Sequence, residues 1–158
     1  MLTKCRRSNS VDAYKTINDI LVHLFNEIWA LEEEAIITEE FKDITNNDMH
    51  IIEAIGTGID STMSAVAKKL GITAGSLTTS MNSLVNKKYV VRERSEVDRR
   101  VVYIRLTDKG RKAYDHHSEF HVQMTNAVIS KLGEGEIPVL VKALEGLAEF
   151  FRGYKEKM

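Results

Sequence analysis

The 158-residue chain is short of the residues that make a fold irregular. It holds one proline, one cysteine and one tryptophan, and only nine glycines. So few breakers leave little material for long structureless loops. The single cysteine, Cys5, excludes an internal disulfide framework and fits a reducing compartment. No apolar run reaches membrane-spanning length, and no signal-peptide pattern opens the chain, so a cytoplasmic protein with no membrane partner is expected. The motifs of common catalysts are also missing. There is no Gly-rich phosphate loop, no nucleophile elbow and no paired carboxylates in an expected cleft, and no residue pattern asks for a cofactor. The Glu32-Glu33-Glu34 run reads as a solvated helix face or a helix end.

A net charge of −1 looks equally uninformative until its distribution is examined. Residues 57–112 carry twelve Lys/Arg against five Asp/Glu, a net of +7, and the rest of the chain carries ten against eighteen, a net of −8. A basic lobe on an acidic remainder is the asymmetry expected of a chain that meets a polyanion with one side.

The basic lobe has a readable order. Ser61-Thr62 can cap a short helix with Met63, Val66, Ala67 and Leu70 on its apolar face, and Gly71 can stop it. Thr73 can cap the next helix, Ala74 to Lys88. Helix, short Gly-containing turn, helix is the helix-turn-helix pattern. In the second helix Leu77, Met81, Leu84 and Val85 share one face. The other face holds Gly75, Ser76, Thr79, Asn82, Ser83 and Asn86, where an ordinary solvated helix would carry Lys and Glu. Small polar groups let a helix sit deep in a groove. Asn82 can pair with both edge atoms of adenine, and the Thr79 methyl can touch a thymine methyl. A polar helix that merely covers a core would look much the same. No outward residue of this helix is Arg, so an A·T-rich site is expected. Lys68, Lys69, Lys87, Lys88, Lys109 and Arg111 are candidates for phosphate contacts, which fix register without reading sequence.

The next segment decides between these readings. Residues 89–95 and 101–106 alternate and are rich in Val, Ile and Tyr, which predicts an antiparallel hairpin. Its turn is Glu96-Val97-Asp98-Arg99-Arg100, with Arg92 and Arg94 on the incoming strand. Guanidinium groups on a narrow turn suit a minor groove, where negative potential concentrates, and Asp98 can pair with one arginine and fix its direction. The whole reads as a winged helix-turn-helix.

Three stretches resemble the MarR family of bacterial transcription regulators. They are Ile72-Thr73-Ala74-Gly75-Ser76-Leu77-Thr78, then Ser95-Glu96-Val97-Asp98-Arg99-Arg100, then Leu106-Thr107-Asp108-Lys109-Gly110. The Asp-Arg-Arg turn followed by Leu-Thr-x-Lys-Gly is quite specific, and the likeness runs from about Asp12 to Tyr154. Within the family, Phe41-Lys42-Asp43-Ile44, Met49-His50 and Thr78-Thr79-Ser80-Met81-Asn82 resemble the FabT-type repressors of fatty-acid synthesis in Gram-positive bacteria. The resemblance implies a mainly α fold with a small β-hairpin wing, flanked by dimerisation helices. It implies base or backbone contacts from Thr73, Gly75, Ser76, Thr78, Thr79, Asn82 and Ser83, and wing contacts from Arg92, Arg94, Ser95, Asp98, Arg99 and Arg100. It further implies a homodimer on palindromic double-stranded DNA and a long-chain acyl group on acyl carrier protein as corepressor.

The flanks are expected to serve that dimer. Residues 1–11 show no apolar period and read as a flexible tail, with Cys5 an incidental thiol. Asp12 can cap a helix to about Ile37, whose Tyr14, Ile17, Leu21, Leu24, Ile28, Leu31 and Ala35 recur at three and four. Residues 12–44 form the N-terminal dimerisation element, 45–112 the DNA-binding domain and 107–158 the C-terminal helices. Asn46 and Asn47 can cap a helix built on Met49, Ile52 and Ile55. Thr107 can cap a long helix to about Leu132, and a last helix follows Gly135. Leu24, Phe25, Ile28, Trp29, Ile51 and Ile55 can line an apolar slot for an effector, or simply fill a core.

Two alternatives remain. His117 and His121, four apart on one helix, share a face and can hold a metal ion with His50. By resemblance to zinc-sensing members, the first-helix ligand would be Glu27, and His116 marks a His-rich surface. The other alternative is a helical adaptor that binds a protein through its acidic lobe.

Overall fold

The computed structural model describes the backbone of residues 4–58 and 61–155 and the side chains of residues 12–58 and 61–154. Six helices and three strands follow in order: α1 (Lys4–Ile36), α2 (Asn46–Ile55), β1 (Ser61–Thr62), α3 (Met63–Leu70), α4 (Ala74–Asn86), β2 (Val90–Arg94), β3 (Val102–Leu106), α5 (Asp108–Ile129) and α6 (Ile137–Lys155). The chain forms two compact units, residues 1–118 and 119–158. Among the described residues no helix is long and apolar enough to cross a membrane.

In the first unit, each short helix starts where a side chain can replace a missing backbone partner. Thr62 caps α3 through Ala65 N–H, and Thr73 caps α4 through Ser76 N–H. Gly71 closes α3 in the left-handed region at φ 68°, as expected of a residue with no Cβ. For α2 the cap is Thr45 rather than Asn46 or Asn47. Its hydroxyl accepts from Asp48 N–H, while the Asp48 carboxylate accepts from Thr45 N–H. That reciprocal box satisfies two orphan donors, which neither asparagine does.

α4 ends two residues short of the expected Lys88. Lys88 N–H bonds to Val85 C=O, Tyr89 N–H bonds to Leu84 C=O, and Lys88 takes φ 64°. This is a Schellman closure, with buried Leu84 and Tyr89 as its apolar pair, but with lysine where glycine is usual.

The hairpin forms as expected, but it is not alone. β1 pairs with β3, giving an antiparallel sheet of order β1-β3-β2. Ser61-Thr62 therefore does two jobs, strand and cap, and two residues are too few to show an alternation. Met49, Ile52, Val66, Leu77, Met81, Leu84, Tyr89, Val90 and Ile104 fill one core under the sheet.

α5 begins by closing on that core. The Thr107 hydroxyl accepts from Gly110 N–H at 3.0 Å and donates back to Lys88 C=O at 2.7 Å. A Cβ on Gly110 would run into the Tyr89 carbonyl, so glycine is required by the close approach of α5 to that strand. Lys109 Nζ reaches Asp43 at 3.0 Å and lies 4.0 Å from the centroid of the Tyr89 ring. The Leu-Thr-x-Lys-Gly stretch thus seats a helix against the base of the wing.

α1 starts at Lys4, so the segment read as a tail falls mostly inside this helix. No proline or glycine lies there to stop it. Residues 1–3 and the side chain of Cys5 lie outside the described residues. Among the described side chains of α1, the buried ones are Glu32 and Ile36, near its C-terminal end. Tyr14, Ile17, Leu24, Phe25, Trp29 and Leu31 remain exposed. In the second unit, α6 carries Pro138 at its second position and exposes Val139, Val141, Leu144, Phe150 and Phe151.

Candidate nucleic-acid interface

α4 and the wing present their polar groups on one exposed edge of the first unit. Leu77, Met81 and Leu84 turn inward at helical spacing, which leaves Gly75, Thr78, Thr79 and Asn82 outward. The outward groups are not equivalent. The Thr73 hydroxyl is spent on the cap and on a 2.8 Å bond with Ser76. The Thr78 hydroxyl bonds back to Ala74 C=O, and Ser83 is only half exposed. Thr79 and Asn82 are exposed, and Asn82 accepts a 2.7 Å bond from Arg92.

The wing turn is organised from inside. Ser95, expected at the interface, is buried. Its Oγ accepts from Val97 and Asp98 N–H, each at 3.2 Å. The Asp98 carboxylate accepts from the backbone N–H of Arg100 at 2.9 Å, so it sets the turn rather than an arginine side chain. Both corrections have one cause: a tight turn leaves several backbone donors unmet, and the nearest short side chains satisfy them. Arg94, Arg99 and Arg100 stay exposed beside Val97, which is 98% accessible at the tip.

The lysines divide into two groups. Lys87 Nζ sits 2.8 Å from the buried Asp48 carboxylate, and Lys69 Nζ donates to the last carbonyls of α2, at Glu53 and Ala54. Lys109 is held by Asp43, and Arg111 lies 3.5 Å from Asp108. Lys69, Lys87 and Lys109 tie separate elements of the unit together, whereas the Arg111 pair is local to α5. Lys68 and Lys88 are exposed with no ion pair among the described residues. Sequence cannot sort them, because the partners of Lys69, Lys87 and Lys109 lie 15 to 66 residues away.

Asp43 anchors the connector between α1 and α2 to the wing. It accepts from the Tyr89 hydroxyl at 2.6 Å and from Lys109 at 3.0 Å. Burial works against its charge, but those two donors outweigh burial and hold the carboxyl below its ordinary value. For Tyr89, burial and then the Asp43 bond and charge push the phenol well above its ordinary value.

The expected effector slot does not assemble within one chain. Ile51 and Ile55 are 2% and 4% exposed and belong to the core, whereas Leu24, Phe25 and Trp29 are about half exposed. α2 packs against α3, β3 and α4 as well as α1, and its Ile51 and Ile55 lie in that shared core.

A polar cluster lies nearby instead. His117, 1% exposed, has Nε2 3.4 Å from Glu32 and 3.7 Å from Glu53. His50 lies 3.8 Å from Glu32 and 3.7 Å from Glu53, and Asn46 donates to Glu32 at 3.4 Å. The carboxylate from α1 is therefore Glu32, not Glu27, which is exposed. Glu32 lies four residues before buried Ile36, on the one face of α1 that reaches the core. Glu53 was missed, although its spacing of three from His50 on α2 is a readable signal. His121 falls in the second unit. His116 is not part of a His-rich surface: its Nε2 lies 2.7 Å from Ala35 C=O and its ring stacks near Phe41.

Comparison with known proteins agrees with this geometry. Residues 42–101 match the model of the MarR family. The chain is 42% identical to Streptococcus pneumoniae FabT, solved in complex with DNA, over 89% of this chain and 99% of that one, with a TM-score of 0.81. It is 25% identical to the adhesin competence repressor AdcR of Streptococcus pyogenes, over 86% of this chain and 98% of that one, with a TM-score of 0.64. It is also 26% identical to the transcriptional regulator PchR of Bacillus subtilis, over 82% of this chain and 75% of that one. The extent of the FabT likeness, joined to a capped recognition helix beside a basic wing, places the chain among regulators rather than enzymes: it belongs to the MarR family of DNA-binding transcriptional regulators.

Proposed function

We propose that the protein is a cytoplasmic, homodimeric repressor of fatty-acid biosynthesis genes. Long-chain acyl-acyl carrier protein is its corepressor, and its operator is an A·T-rich palindrome. The observation that carries this reading is the 42% identity to a FabT solved on DNA, which spans nearly the whole of both chains. Residues 45–112 read DNA, with Thr79 and Asn82 toward bases and Arg94, Arg99 and Arg100 toward the minor groove. Lys68 and Lys88 meet phosphates. The exposed apolar rows of α1 and of α6 are faces that a second copy would cover, so residues 12–44 and 107–158 serve dimerisation. Two readers about 34 Å apart on one side of the duplex match a palindrome.

An acyl chain gains about 0.8 kcal/mol per buried CH₂, and it tightens DNA binding only by preferring the arrangement that fits the operator. Leu24, Phe25, Ile28 and Trp29 offer it apolar surface. The test is operator affinity by fluorescence anisotropy with acylated carrier, unacylated carrier and added zinc. Tightening by acylated carrier alone supports the reading, and no response to it removes the corepressor.

A second reading has its own observation. His50, Glu53 and His117 bring two imidazoles and a carboxylate together, with Glu32 3.4 Å from His117, a donor set suited to zinc. If zinc alone shifts operator affinity, and His117→Ala abolishes the shift, the protein is a metal-responsive regulator instead.

A further inference from the structure

We propose that Arg92 and Asn82 act as one composite base reader, which selects a base edge carrying acceptors only: guanine ahead of thymine, and against adenine. The inference rests on α4 being the base-contacting helix and names what that helix selects.

The pairing follows from the strand. Along β2 alternate residues share a face. Val90 is buried against the core on one face, and Arg92 and Arg94 continue that face toward the tip. Glu93 takes the opposite face, where Arg105 neutralises it across the sheet. The inward face of β2 meets α4, and there Arg92 Nη2 donates to Asn82 Oδ1 at 2.7 Å.

The chemistry follows from the donor inventory. A guanidinium has five N–H donors and no acceptor, so the amide must turn its oxygen toward Arg92. Asn82 alone would read adenine by accepting from N6 and donating to N7. With one lone pair of its oxygen taken by Arg92, Asn82 keeps its amide nitrogen as a donor and a single remaining acceptor position. The remaining guanidinium hydrogens are donors too. A tip in which donors outnumber that one acceptor complements guanine, which offers N7 and O6, and to a lesser degree thymine, which offers O4. It suits the amino groups of adenine and cytosine less well, since they meet one shared acceptor among several donors. The amide also holds the arginine in one orientation before DNA arrives, which lowers the ordering cost of the contact. The expectation of an A·T-rich site followed from the absence of an outward arginine on α4; this arginine comes from the wing strand.

The test is selection of duplexes from a randomised library by the full-length protein, with per-position base preferences for wild type, Asn82→Ala, Arg92→Ala, Arg92→Lys and the double alanine variant. Wild type is expected to prefer guanine or thymine at one position of each half-site. Asn82→Ala and Arg92→Ala should each erode that preference about ten-fold, within the range of one good base contact, and the double variant should erode it no further. Arg92→Lys should keep affinity for random duplex but lose the preference. An adenine preference at the Asn82-dependent position overturns the proposal. So does an Arg92→Ala variant that keeps the preference and loses only salt dependence, since Arg92 is then a phosphate contact. In both cases the reading of α4 survives. If Asn82→Ala alters preference nowhere, that reading fails as well.

Discussion

The two ends of the wing hairpin are built on opposite terms. At its base Tyr89, Thr107, Lys109 and Asp43 are each tied to a partner, and Gly110 leaves no room for a methyl group. At its tip Val97 is bare, and Arg99 and Arg100 reach into solvent. Ten residues separate a strand whose bonds are satisfied internally from a turn whose guanidiniums have no ion-pair partner among the described residues. A cation spent inside the protein cannot be offered to DNA, so counting arginines and lysines overstates the interface.

Substitutions at the base should cost stability, and those at the tip should cost only DNA binding. Gly110→Ala should have the largest effect. Its Cβ meets the backbone at Tyr89 rather than a movable side-chain end, so about 3 kcal/mol of stability should be lost, measured by urea unfolding. A loss under about 0.5 kcal/mol would show that α5 does not seat there. Lys87→Gln should come next. It strands the buried Asp48 carboxylate and should cost about 2 kcal/mol while leaving the salt dependence of DNA binding unchanged. Lys68→Gln should do the reverse.

Tyr89→Phe should cost about 1 kcal/mol near neutral pH and flatten the pH profile at both ends. The folded value for Asp43 lies below its unfolded one, so its contribution is present above about pH 4 and fades as pH falls further. The folded value for Tyr89 lies above its unfolded one, so its contribution is present below about pH 10 and fades as pH rises. Unfolding midpoints across that range would show both losses in wild type and neither in full in the variant. Replacing both Arg99 and Arg100 with Ala should leave stability within about 0.5 kcal/mol. It should flatten the salt slope of DNA binding by about one unit for each phosphate that the wing no longer neutralises. An unchanged slope would place the tip outside the interface.

Sequence reveals what is local. Thr62 and Thr73 stand directly before an apolar period, and Gly71 directly after one, so their caps are visible without a structure. The inward triad Leu77, Met81 and Leu84 follows from spacing alone. What sequence hides is pairing at long range. Asp48 and Lys87 are 39 residues apart, and nothing near either one marks it as engaged. Glu27 and Glu32 both lie on a helix with an outward apolar row, and only the packing of Ile36 shows which of them faces inward. β1 is hidden for another reason, since two residues carry no period. The link from Arg92 to Asn82 joins a strand to a helix, and each element read by itself gives the other no role.

Lys88 shows how the molecule uses a position that glycine would fill more easily. A left-handed backbone costs an L-residue roughly 1–2 kcal/mol, yet the closure of α4 places this lysine there. Bent out of the helical path, its ammonium leaves from the point where the recognition helix stops and the wing begins. A lysine one residue earlier serves Asp48, and one residue later the side chain is buried beneath the sheet. The strained position is therefore one from which a cation is presented outward at this junction. The backbone cost at Lys88 thus goes with an exposed positive charge between α4 and β2.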